Sequence, residues 1–158
     1  MKAVSNASPI IFLSKIDTLD LLPQCFDEIL IPSAVANELV DYHPPAYIQQ
    51  IQISTAGSEF VRGAVGRLHT GELEAMVLVQ ETQADYVILD DLLARRKAQR
   101  LGLKTIGTIG ILLLAHKKRL LSKMDLEGHL SRLINDHRMY LSTFHTRKDY
   151  GFARIAGT

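Results

Sequence analysis

The sequence predicts an α/β fold in which a short parallel sheet is covered by helices on both faces. The first observation behind this prediction is that short apolar segments alternate with segments whose apolar residues have helical spacing. The second is that the apolar segments are continuous, as at residues 86–89, which is typical of strands buried on both faces. With 158 residues, of which 47% are hydrophobic, the chain is long enough to bury most of its apolar surface as one domain.

The first strand and helix lie at the N-terminus. Lys2–Ser5 reads as a short buried strand, and Ser8 followed by Pro9 predicts the N-cap and first position of a helix. That helix continues at helical spacing through Ile10, Leu13 and Ile16. Asn6 therefore lies where the chain leaves the first strand.

A second strand and helix follow. Glu28–Ile31 is an apolar strand, and Pro32 with Ser33 opens a helix that carries Glu38 and ends within residues 41–45, where two prolines stop it. Residues 51–53 alternate briefly between apolar and polar. Residues 56–66 contain glycine and show no period, which predicts a mobile loop.

Helical spacing resumes at Thr70, a predicted N-cap, with Glu72 in the first turn. The strand at residues 86–89 ends in Asp90 and Asp91. A helix at residues 92–101 should end at Gly102 in the C′ position. A strand at residues 104–106, an apolar helix at 111–115 and further helix from Lys123 complete the pattern.

Composition excludes several classes of protein. The net charge of +1 gives no global field that would attract a polyanion or a membrane surface, so RNA binding would require local patches. Cys25 is the single cysteine, which excludes an intramolecular disulfide and a cysteine-rich zinc site. The sequence has no signal peptide pattern and no apolar run that could cross a bilayer, which predicts a cytoplasmic protein without membrane contact.

Oxygen-bearing side chains recur where the predicted strands end. Asp90 and Asp91 follow one strand, Asn6 and Ser8 follow another, and Glu38 and Glu72 lie on helices nearby. In an open parallel sheet the functional crevice lies beyond the carboxyl ends of the strands. Mg²⁺ and Mn²⁺ prefer oxygen ligands of this kind, so this edge is a candidate metal site.

Each of these residues also has an ordinary structural explanation. Glu72 could complement a helix dipole and have no further role. Asp91 could be an N-cap, and Glu38 could be an exposed helix residue. Arg95 and Arg96 are near enough to Asp90 in sequence to meet RNA phosphates, although a solvated helix face is the commoner explanation. The functional interpretation rests on several acids at one edge of the sheet.

Successive blocks along the chain resemble those of a known family. They are VSNASPII at residues 4–11, IPSAVANEL at 31–39, LHTGELEA at 68–75, VILDD at 87–91 with Ala94 and Arg95, and IGTIGIL at 106–112. The chain resembles the DUF3368 group of PIN-like domains, which is similar to the VapC-like toxins of type II toxin-antitoxin pairs. The resemblance extends from Val4 to about Ser142.

The resemblance implies a three-layer α/β/α fold with a short parallel sheet, forming one PIN-like domain over residues 1–158 with a helical C-terminal extension from about residue 123. It implies a Mg²⁺- or Mn²⁺-dependent endoribonuclease, a homodimer and an antitoxin protein as partner. The implied catalytic residues are Glu38, Glu72 and Asp90; Asn6 and Asp91 join them as metal ligands, and Ser8, Arg95, Arg96 and Thr108 would contact RNA.

One position departs from the PIN pattern. PIN nucleases usually have an aspartate at the end of the first strand, and this chain has Asn6. An asparagine carbonyl can ligate a hard cation, but it is neutral and removes one negative charge from the cluster. The alternative hypothesis is therefore a catalytically weakened PIN-like module that binds RNA or a protein partner without cleavage.

Overall fold

The computed structural model describes residues 1–137 and contains one five-stranded parallel sheet with the strand order β3-β2-β1-β4-β5. The strands are β1 Lys2–Ser5, β2 Glu28–Ile31, β3 Ile48–Gln50, β4 Tyr86–Ile88 and β5 Thr105–Ile106. The helices are α1 Ala7–Lys15, α2 Leu21–Cys25, α3 Ser33–Glu38, α4 Thr55–Ala64, α5 Thr70–Thr82, α6 Leu92–Arg100, α7 Thr108–Lys117 and α8 Lys123–Asn135. A short 3₁₀ turn, Val40–Tyr42, follows α3.

The two faces of the sheet bury separate apolar cores because successive side chains of a strand point to opposite faces. Ala3 and Ile88 enter a core shared with α1, α2, α7 and α8. Their neighbours Val4 and Val87 enter a second core shared with α4, α5 and α6. This arrangement confirms the three-layer α/β/α fold and the short parallel sheet.

The strand order reverses direction at β1. The chain passes from β1 through β2 to β3 on one side of the sheet, and then returns to place β4 and β5 on the other side. Such a reversal opens a crevice at the carboxyl ends of the strands, because the helices that follow the two neighbouring strands β1 and β4 pack on opposite faces of the sheet. Asn6 follows β1, and Leu89 to Asp91 follow β4, so both segments border this crevice.

The first helix begins earlier than predicted. Helix α1 starts at Ala7, and its N-cap position is occupied by Asn6 in an extended conformation, so the prediction of Ser8 as N-cap was wrong. The N–H of Asn6 donates to the carbonyl of Ile88 at 3.0 Å, which extends the contact between β1 and β4 by one residue. Pro9 is accommodated as the third helical residue because N–H groups in the first turn have no partner within the helix.

The predicted loop at residues 56–66 was also wrong, because most of it is helix α4. The hydroxyl of Ser54 caps this helix by accepting from the N–H of Gly57 at 3.0 Å. A Cβ on Gly57 would lie 2.7 Å from Cγ1 of Val77, so the glycine allows α4 and α5 to approach closely. Here the glycine serves helix packing, although sequence alone suggested a flexible segment.

Smaller differences concern the ends of elements. The N-cap of α5 is His69, one residue before the predicted Thr70, and the third strand is Ile48–Gln50, just before the alternating residues 51–53. Gly102 has φ +77° directly after the C-cap of α6, as the C′ prediction requires. The helix predicted from Lys123 is present as α8, and the tail beyond residue 137 lies outside the described residues. No helix within residues 1–137 is both long and apolar enough to span a bilayer.

Candidate active site

The candidate site lies at the carboxyl edge of the sheet, next to the crevice beside β1. Asn6 reaches it from the end of β1, and Glu38 from the last residue of α3. Glu72 is the third residue of α5, while Asp90 and Asp91 follow β4 directly. Four separate elements, β1, α3, α5 and β4, therefore supply the five oxygen-bearing side chains.

Glu38 and Asn6 both approach Gly71 in the first turn of α5. A Cβ built on Gly71 would lie 2.7 Å from Oε1 of Glu38 and 3.4 Å from Oδ1 of Asn6. Both oxygens thus lie around one point that only a glycine leaves open. Asn6 is buried, whereas Glu38 is exposed, so Asn6 lies at the inner end of the site and Glu38 at its solvent-facing end. Gly71 was not among the residues predicted from the sequence, where the one local signal is a glycine, a poor helix former, in the first turn of a helix.

Glu72 is buried beside two other acids. Its side chain is 4% exposed, and its Oε2 accepts from the backbone N–H of His69 at 3.0 Å. Burial raises the pKa of Glu72, and the charges of Asp91 and Glu38 raise it further, while the His69 N–H opposes the shift. Glu72 therefore both caps α5 and repels neighbouring carboxylates.

Asp90 has both carboxylate oxygens in hydrogen bonds to Thr108. Oδ1 accepts from the backbone N–H of Thr108 at 2.7 Å, and Oδ2 accepts from its hydroxyl, also at 2.7 Å. Burial raises the pKa of Asp90, whereas the bonds to Thr108 and the charge of Arg95 oppose this effect. Asp90 thereby fixes the start of α7 against the end of β4.

Asp91 differs from its neighbour because it is exposed. Its Oδ1 accepts from the N–H of Ala94 at 2.8 Å, which makes it the N-cap of α6. Its charge is close enough to raise the pKa of Glu72. Glu74, two residues further along α5, accepts from the N–H of Ala34 at 2.9 Å and so ties α5 to the start of α3.

The family model for DUF3368, a PIN domain, matches residues 2–148 of this sequence. The chain belongs to the DUF3368 family of PIN domains. Its fold is also similar to a PilT N-terminus domain protein, SSO1118, from the hyperthermophilic archaeon Sulfolobus solfataricus P2, with 17% identity and a TM-score of 0.49 over 70% of this chain and 90% of that one. No curated protein matches the sequence. PIN domains are generally nucleases and typically depend on divalent metals.

The side chains of this PIN domain suit a hard cation in chemical type, because carboxylate and amide oxygens are what Mg²⁺ and Mn²⁺ bind. Their arrangement is less favourable. Within residues 1–137, no three His, Cys, Asp or Glu side chains are grouped as metal ligands. Glu72, Asp90 and Asp91 each already accept a backbone N–H, but a carboxylate has about four acceptor positions and retains free ones.

The residues expected to contact RNA occupy different environments. Ser8 is half-buried in the first turn of α1, and Arg96 is exposed on α6. Arg95 is 5% exposed, and its charge acts on Asp90. Thr108 has no exposed surface and donates to Asp90, so in this PIN domain its hydroxyl positions a carboxylate.

The raised pKa of Glu72 gives a pH-dependent prediction. A pKa above the value in the unfolded chain means that the stabilisation from Glu72 is complete below about pH 4.5 and is lost as pH rises through the folded pKa. Glu72→Gln should therefore raise the free energy of unfolding at pH 7 by about 0.5–2 kcal/mol, a gain that shrinks towards pH 4.5. Urea denaturation at several pH values measures this.

The matched control is Glu127→Gln, which removes the same charge from an exposed position on α8. It should leave the stability at pH 7 within about 0.5 kcal/mol of the original protein. If Glu72→Gln destabilised the protein equally at pH 4.5 and at pH 7, the hydrogen bond from the His69 N–H to the carboxylate would outweigh the repulsion from the neighbouring acids.

Proposed function

We propose that this PIN domain is a Mg²⁺- or Mn²⁺-dependent endoribonuclease that hydrolyses RNA phosphodiesters. We further propose that it forms one domain over residues 1–158 and acts in the cytoplasm as the homodimeric toxin of a type II toxin-antitoxin pair. The nuclease proposal is carried by the approach of the Glu38 and Asn6 oxygens over Gly71, beside the buried Glu72, at the reversal point of the sheet. The toxin assignment rests on the resemblance of the sequence blocks.

The residues have separate roles in the proposed reaction. Glu38 and Asn6, joined by Glu72 and Asp91, would hold the cation. A bound cation of this kind activates water and neutralises charge that develops on the phosphate. Burial raises the pKa of Glu72, and the charges of Asp91 and Glu38 add to this effect. The proximity of these two acids supports the assignment, because a divalent cation would relieve their repulsion.

Asp90 is proposed to act at the same centre through its remaining lone pairs. Its bonds to Thr108 hold the carboxylate in one orientation at the end of β4, and the nearby charge of Arg95 favours the ionised form. A carboxylate oxygen fixed at this position is suited to a metal or to an attacking water.

A second candidate function is an RNA-binding or protein-binding module that does not cleave. Two observations favour it: Asn6 contributes no charge, and both oxygens of Asp90 are engaged by Thr108. In such a module the acids would serve as helix caps, as Asp91 does for α6. Metal-dependent cleavage separates the two functions.

The test is cleavage of a structured RNA by the purified protein with Mn²⁺, with Glu38→Gln as the main variant. Glu38 is exposed at the end of α3, so the substitution removes a charge and leaves the core intact. We expect the cleavage rate to fall by about 100-fold or more. A loss of this size is typical when a residue that supports a metal site is replaced. The measurement is the initial rate on a gel, with chelator as the metal-free reference.

Glu127→Gln serves again as the control and should cleave at the original rate. Cleavage that is unchanged in Glu38→Gln would remove Glu38 from the site. If the original protein binds the RNA but cuts it with neither Mn²⁺ nor Mg²⁺, the second candidate function, binding without cleavage, is the correct one.

A further inference from the structure

A cavity of about 300 Å³ lies beside the edge strand β5, between this strand and α6. We call it the edge pocket. It is lined by Tyr86, Arg95, Gln99, Leu103, Lys104 and Thr105. None of the acids of the candidate active site lines it, so it is a separate feature of the surface.

The lining of the edge pocket suits an anion. Arg95 and Lys104 contribute two positive charges, and no acid is among the lining residues. The remaining polar groups are neutral, and Gln99 donates its amide N–H to the hydroxyl of Thr105 at 3.1 Å across one wall. Two cations with neutral hydrogen-bonding groups around them are a typical environment for a phosphate.

Positive charge is concentrated in the segment of the sequence that supplies most of the lining of this pocket. The whole sequence has a net charge of +1, yet residues 92–124 contain no Asp or Glu and carry nine of the 18 Lys and Arg residues. Five of these nine lie within residues 95–104, on α6 and directly before β5. A local field of this kind attracts a polyanion even though the protein as a whole is almost neutral.

Arg95 connects the edge pocket with the candidate active site. It lines the pocket, and its positive charge also acts on the carboxylate of Asp90. Arg95 and Gln99 are four residues apart on α6, which separates them by about 6 Å along the helix. A strand whose phosphate lies near Asp90 could therefore continue along α6 into the pocket.

We propose that the edge pocket binds a backbone phosphate of the RNA strand, at a position that flanks the cleaved bond. This inference rests on the proposed function and adds the path of the substrate, which leaves the acidic centre along α6 towards β5. Lys104 contributes the exposed charge, while Arg95 is buried at the base and Gln99 offers a neutral donor. Recognition of this kind is independent of base sequence.

The experiment measures binding of a single-stranded RNA oligonucleotide by fluorescence anisotropy, with chelator present so that no cleavage occurs. Lys104→Gln should weaken binding about fivefold at low salt, which is the upper range for an exposed ion pair. The slope of log K against log salt concentration should become shallower by about 0.7, the value for one lost phosphate contact on a single strand.

The control is Lys123→Gln, which removes the same charge from the same acid-free segment but outside the pocket. It should leave the salt slope unchanged. If Lys104→Gln and the original protein both bind RNA with the same salt slope, the proposal that the edge pocket binds an RNA phosphate is wrong. The nuclease proposal would then remain intact. Failure of the original protein to bind or cut RNA would overturn both.

Inorganic phosphate provides a second arm, because a free anion and an RNA phosphate share the same chemistry. Titration with phosphate should displace the RNA from the original protein more effectively than from Lys104→Gln. If Lys104→Gln loses affinity for phosphate but keeps the full affinity for RNA, the pocket takes a free anion and the proposed path of the RNA strand is wrong.

Discussion

Replacing Gly71 by alanine is expected to lower the affinity for Mn²⁺ by about 10–100-fold without unfolding the protein. The new Cβ would lie 2.7 Å from Oε1 of Glu38, closer than non-bonded atoms approach, and 3.4 Å from Oδ1 of Asn6. Glu38 is exposed and flexible, so its carboxylate would turn into solvent and leave the site. Isothermal titration calorimetry with Mn²⁺ measures the loss.

The stability of Gly71→Ala should change little. Alanine is favoured over glycine within a helix by about 1 kcal/mol, and this gain offsets the tight contact of the new methyl group with Cγ2 of Val35 at 3.3 Å. The loss of metal affinity would therefore occur in a folded protein. Circular dichroism and thermal denaturation establish this point.

Two other helical glycines provide matched controls. Gly63 on α4 and Gly128 on α8 have no atom within 4 Å of a built Cβ. Alanine at either position should raise stability slightly and leave Mn²⁺ affinity unchanged. If Gly71→Ala bound Mn²⁺ as tightly as these controls, the oxygens of Glu38 and Asn6 would not be the ligands.

The position of the candidate site could be predicted from sequence because it depends on local signals. Continuous apolar segments located the strands, and parallel strands bring the residues that follow them to one edge. Asn6 and Asp90 were predicted to follow two of the strands, and the structure shows that these strands, β1 and β4, are neighbours that pair through Val4 and Val87. No knowledge of side-chain contacts was needed for this step.

The roles of individual residues could not be predicted, because they depend on contacts between distant segments. Gly71 and Gly57 look alike in sequence, yet one leaves room for a carboxylate and the other for a neighbouring helix. The sequence left two explanations open for Glu72, as a complement to the helix dipole or as part of an acidic site. It accepts a capping bond and also stands beside Asp91 and Glu38, so the two explanations are compatible.

The second large effect is expected at Asp90, where alanine should destabilise the protein by about 3 kcal/mol or more. The substitution leaves the N–H and hydroxyl of Thr108 buried without their acceptors, and each unsatisfied group costs about 1–3 kcal/mol. It also removes the negative charge that Arg95 faces. Urea denaturation at pH 7 gives the difference in the free energy of unfolding.

Asp90→Asn separates this structural role from a catalytic one. Its amide oxygen can still accept from the N–H of Thr108, and its amide N–H can donate to the Thr108 hydroxyl, so we expect a loss of only about 1 kcal/mol. Cleavage should nevertheless fall, because the neutral amide is a poorer ligand for Mn²⁺ than a carboxylate. A folded Asp90→Asn protein with full cleavage would assign Asp90 to the support of α7 alone. Equal destabilisation by alanine and asparagine would instead show that the charge, rather than the two bonds to Thr108, holds this corner of the fold.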